Sequence, residues 1–164
     1  NGTFEQLENL ATEALALFRE MGDRWQPPFL LRMLGYLALS NGQYDEATRL
    51  AEESLVLNRE LNDERGMLAS VVAIASIDVE RGKAEHLLSA ARLFGAVETL
   101  LAKAAMHLLP PDMRNLSTYG TTLRERLDPT GYRAAYAIGS SLDLHQATSL
   151  AMNRPHTDKP TLPL

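Results

Sequence analysis

The chain has 164 residues, with 16 Lys+Arg against 21 Asp+Glu, 45% hydrophobic residues and no cysteine. That is one domain's worth of chain, long enough to bury a core, and its net charge of −5 argues against a surface built to hold nucleic-acid phosphates. The missing cysteine excludes disulfides, thiolate metal sites, iron–sulfur clusters and thiol nucleophiles.

Asn1-Gly2-Thr3 opens without Met and without a signal peptide's charged and apolar regions, so a piece of a longer, cytoplasmic chain is expected. The first predicted helix covers 3–21 and ends at Gly22-Asp23. Pro27-Pro28 then suits a first helical turn, where a missing N–H costs nothing, and predicts a helix over 27–40. Asn41-Gly42 breaks it. In the next helix, 43–61, Ala47, Leu50, Ala51, Ser54, Leu55 and Asn58 recur at three- and four-residue steps and form one face. Asn62-Asp63 ends it. The helix predicted over 64–81 contains 67–79, apolar nearly all round, as in a helix sandwiched between others. Its β-branched Val71, Val72, Ile74 and Ile77 would also suit a buried strand. Further helices are expected over 84–106, 112–127 (weakened by Gly120), 129–138 behind the Asp128-Pro129 start, and 142–152 with Ser141 as N-cap. Residues 153–164 hold three prolines and no periodicity, and read as a flexible tail.

The strand alternative fails on an internal repeat. Shifted by 40 residues, 2–23 lies over 42–63 with nine identities: Gly2/Gly42, Leu10/Leu50, Ala11/Ala51, Glu13/Glu53, Leu15/Leu55, Leu17/Leu57, Arg19/Arg59, Glu20/Glu60 and Asp23/Asp63. Ordinary composition would give about one or two. The same shift sets Leu31, Leu34 and Leu37 over Val71, Ile74 and Ile77, so 67–79 takes the helical register of 31–37. Asp78 stands where the first unit has Ala38, and Ala84 where Tyr44 would recur.

Leu34-Gly35, then Gly42, Tyr44 and Ala47, with Ala51 and Ser54, resembles the tetratricopeptide repeat, whose usual period is about 34 residues. The longer period, the helix end Arg59-Glu60-Leu61-Asn62-Asp63, the run 90–98, and then Leu109-Pro110-Pro111, Tyr132, Ala135, Gly139, Ser141-Leu142 and Ala147 are similar to the repeat region of bacterial signal-transducing ATPases and LuxR-type, MalT-like regulators. The resemblance covers nearly all of 2–152. It implies an all-α fold of antiparallel helix hairpins stacked as a short right-handed superhelix over 1–109, with capping helices over 110–152. No GxxxxGK[ST] and no basic recognition helix are present, so neither ATP nor DNA binding carries over.

In such arrays the first helix of each pair lines a concave groove for a protein or peptide partner. Here that implies Phe29, Arg32, Tyr36, Leu39 and Ser40, then Ala69, Val72, Ser76, Val79 and Glu80, with Arg32 and Tyr36 as the residues to test. The competing reading makes them core between stacked helices. Trp25, the one tryptophan, either anchors a partner or covers a helix end. His86, His107, His145 and His156 show no metal-ligand spacing, and Glu52-Glu53 and 60–64 read as a solvated, ion-paired face. No catalytic constellation, metal or cofactor is expected.

The sequence therefore points to a non-catalytic interaction or sensor scaffold of a larger bacterial signalling or transcription regulator. The alternatives are a structural spacer or cap, and an oligomerisation module. An enzyme with a site between 84–106 and 129–138 is the outlying reading. The apolar face of 3–21 (Phe4, Leu7, Leu10, Ala11, Ala14, Leu15, Phe18) has one neighbour in the fragment, so partial exposure and a homodimer there are expected.

Overall fold

The computed structural model describes residues 2–154, and among these it has eight helices and no strand. They are α1 (Gly2–Glu20), α2 (Gln26–Ser40), α3 (Tyr44–Leu61), α4 (Glu64–Arg81), α5 (Ala84–Ala104), α6 (Pro110–Arg126), α7 (Pro129–Ser140) and α8 (Leu144–Met152). The β-branched run lies inside α4, where every residue of 67–79 is buried.

Local chemistry sets the ends. Pro27 and Pro28 sit in the first turn of α2, and the Asp23 carboxylate accepts from the Trp25 and Gln26 N–H groups at 2.7 and 3.0 Å. Asp63 and Asp128 cap α4 and α7. The last helix departs from expectation. Ser141 ends α7, its hydroxyl donating to Ile138 O, and Asp143 is the N-cap of α8. The reason is a reciprocal pair: Asp143 accepts from the Gln146 N–H at 2.7 Å, and the Gln146 side chain accepts from the Asp143 N–H at 2.9 Å.

Each of α1 to α4 packs on the helix that follows it. Gly35 of α2 lies against Ala47, Leu50 and Ala51 of α3, while Pro28 O accepts from Ser54 Oγ at 2.7 Å, so α2 and α3 run antiparallel. Ser54 meets Ser70 at 3.0 Å while Asn58, one turn later in α3, lies against Gly66, one turn earlier in α4, so α4 runs antiparallel to α3.

The chain then folds back on itself. The helices α6 and α8 lie on α4 and α5, and α7 packs extensively on α5. Leu116, Leu123, Ala135 and Ala151 join Val71, Ile74 and Leu93 in one hydrophobic cluster. Residues 110–152 therefore share the core of the segment before them. The α5–α7 contact depends on two glycines. A Cβ on Gly95 would overlap the Tyr136 carbonyl, and one on Gly139 the Arg92 carbonyl. Tyr136 and Glu98 close the same seam with a hydrogen bond.

Gly139→Ala should lower the urea midpoint at unchanged m-value, by about 1–3 kcal/mol of stability, because a backbone carbonyl cannot swing aside as a side chain does. Unchanged stability would mean that the two helices separate freely.

Candidate functional site

The face expected to line a groove belongs to α2 and α4, and α6 lies across it. Arg32 donates from Nε and Nη2 to the two carboxylate oxygens of Asp112 at 2.8 and 3.1 Å. The Tyr36 hydroxyl donates to the same carboxylate at 2.8 Å. Arg32 and Asp112 are 4% and 0% exposed, so the pair is desolvated and satisfied by geometry. The Arg32 guanidinium also lies over the Phe29 ring, 5.5 Å from its centroid. Burial, then the Asp112 charge, pushes the Tyr36 phenol well above its usual range.

Further along α6, Tyr119 is raised by burial and by the neighbouring Glu80 carboxylate. At the helix end, Arg126 donates to Val79 O at 3.0 Å. Four of the positions expected to meet a partner (Arg32, Tyr36, Val79 and Glu80) thus contact a helix of the same chain. Of the others, Leu39, Ala69, Val72 and Ser76 are buried, and the Ser76 hydroxyl donates to Val72 O. Phe29 is half-buried and Ser40 is exposed, and Glu80 is itself exposed while it meets Tyr119. The α2/α4 face that these residues share is thus covered by α6 of the same chain, and most of them take the core environment that was the competing reading. The segment that covers it reads in sequence as a weak helix behind two prolines, and nothing in its composition says where it docks.

What stays open is a cleft of about 170 Å³ at the end of this face, bordered by Trp25, Phe29, Arg65 and Leu109, with Arg32 and Asp112 at its floor. Trp25 is 64% exposed there and does not bury itself over a neighbouring helix end.

A second buried polar cluster holds the C-terminal turn. Asp78 accepts from Arg154 Nε at 3.0 Å, and Arg154 also reaches Glu52 and Ala151 O, at 3.0 and 2.7 Å. His86 Nδ1 lies 3.4 Å from Asp78. Burial raises the Asp78 carboxyl above its ordinary value of 3.8, with Arg154 pulling the other way. Arg154 is 4% exposed, so the tail expected from 153 onward is anchored at least that far; residues 155–164 lie outside the described residues. The one sequence signal for this cluster was Asp78 at the place of Ala38.

Among the described residues no three His, Asp or Glu side chains converge as metal ligands, and no helix is long and apolar enough to cross a membrane. Ser141 and Asp143 lie at helix ends, and His107 is exposed near the α5–α6 connection. His156 lies outside the described residues. No protein-family model, curated protein or solved structure matches the chain.

Two outcomes follow. Asp112→Ala should cost about 3–5 kcal/mol, because it strands a buried guanidinium, and adding Arg32→Met should recover part of that loss. Additive losses in denaturant titrations would show that the pair is not coupled. For Asp78, the raised folded value means that its contribution to stability falls as pH rises from 3.8 through the folded value. Wild type should therefore lose ground to Asp78→Asn across that window, and a difference independent of pH would contradict the effect of burial on this carboxyl.

Proposed function

We propose that this chain is a non-catalytic interaction scaffold: tetratricopeptide-like helix hairpins stacked as a short right-handed superhelix, serving a larger cytoplasmic signalling or transcription regulator of bacterial, MalT-like type. The observation that carries the reading is that its α2/α4 face already holds a helix, through Arg32, Tyr36, Val79 and Glu80. Such side chains read shape and charge along a helix, which is contact chemistry. Equivalent burial in the two units adds support. Leu15 and Leu55 are both buried, as are Leu31 with Val71, Leu34 with Ile74, and Leu39 with Val79.

A second reading, a spacer or cap with no partner of its own, is favoured by the same helix, since α6 uses up the face that would recruit one. Immobilised chain offered the other segments of its parent polypeptide separates the two. The scaffold reading expects retention of at least one segment. An inert monomer by light scattering that retains none is the spacer.

A further inference from the structure

The first helix carries more apolar surface than its neighbour covers. Set out at about 100° per residue, the apolar side chains of α1 other than Ala16 span an arc of about 160°. Leu15 is buried on one side of that arc, with Phe4, Ala11 and Phe18 half-buried beside it. On the other side Leu7, Leu10, Leu17 and Met21 are 50%, 63%, 58% and 77% exposed, with half-buried Ala14 among them. Leu7, Leu10, Ala14, Leu17 and Met21 follow one another at steps of three, four, three and four. This is the seam spacing of a helix that packs lengthwise on another.

The molecule holds a filled version of the same seam. The 40-residue register sets Leu7, Leu10 and Ala14 over Ala47, Leu50 and Ser54 of α3, which are 0%, 6% and 0% exposed beneath α2. It also sets Glu13 and Glu20 over Glu53 and Glu60. Those two carboxylates meet Arg19 at 2.6 Å and Arg24 at 3.6 Å, from the unit before them. Glu13 and Glu20 flank the open seam on its Leu10/Leu17 edge, and among the described residues no cation is paired with either. Laid against its own copy, this edge would bring carboxylates together, which disfavours a homodimer.

We propose that the Leu7/Leu10/Leu17 seam of α1 is a docking site for an antiparallel amphipathic helix of a protein partner, apolar along its seam and flanked by Arg or Lys that pair with Glu13 and Glu20. This rests on the scaffold reading and names the chemistry of the partner. The substitutions that test it lie on exposed positions, and circular dichroism checks that each variant stays folded.

The probe is a fluorescently labelled peptide of about three heptads with Leu along the seam and Arg on both flanks, compared with the same peptide carrying Glu on the flanks. In anisotropy titrations the Arg peptide should bind about tenfold or more tightly than the Glu peptide. Leu10→Glu should abolish binding, and Glu13→Arg with Glu20→Arg should reverse the preference. Equal affinity for the two peptides, or binding by neither, overturns the proposal. So does a wild-type dimer in sedimentation that becomes monomeric in Leu10→Glu, since a second copy would then be the occupant. If the parent's segments are retained equally by wild type and Leu10→Glu, this site falls while the scaffold stands; if none is retained by either, the scaffold reading itself falls.

Discussion

Arg32 and Asp112 are 80 residues apart in the chain, and each is buried almost completely. Neither charge would be tolerated there alone, because an ion that leaves water must recover its hydration from fixed partners. The two-point contact between guanidinium and carboxylate, with the Tyr36 hydroxyl on the same acceptor, supplies those partners and fixes where α6 begins. Once that point is set, Tyr119 falls beside Glu80 and Arg126 beside Val79 O, so α6 tracks the α2/α4 face along its length. A surface that a hairpin array would leave open becomes an interior one.

The opposite end of the core is tied in the same manner. Asp78 sits in the all-round apolar helix α4 and is matched by Arg154, whose guanidinium also reaches Glu52 on α3 and the end of α8. Between these two buried arginines the packing is apolar and close. Gly95 and Gly139 bring the backbones of α5 and α7 into direct contact, and the adjacent Leu93 and Phe94 are buried in the cluster. The later helices are thus as much a part of the core as the earlier ones, and the polar pairs select one way of folding them back.

The two ends of the helical array differ in consequence. Toward the C-terminus α5 to α8 pack on one another and on α4, leaving Leu109, Met113 and Ile138 as the exposed large apolar side chains, and the described residues end in a buried arginine. Toward the N-terminus α1 is covered on one side only, and Leu7, Leu10 and Leu17 are exposed beside carboxylates whose counterparts Glu53 and Glu60 pair with arginine. An apolar strip of that kind costs solvation free energy unless something covers it, which is the physical ground of the docking site proposed there.

How much of this was legible beforehand follows from the range of each interaction. Helix positions, the burial of 67–79, the cap Asp128 and the uncovered half of α1 were written in the sequence, because they depend on periodicity, on residues three or four apart and on a repeat visible by self-alignment. The capping box at Asp143 was equally local and was missed because Ser141 offered a competing cap. The partners of Arg32 and Tyr36 were decided by tertiary structure alone, since Asp112 lies on another helix and nothing near it in the chain marks it as buried. Asp78 stood out as a departure from Ala38, yet its meaning waited on Arg154, 76 residues away. Short-range geometry is repeated in every copy of a motif, whereas a buried charge pair occurs once and is recognisable only when both halves are brought together.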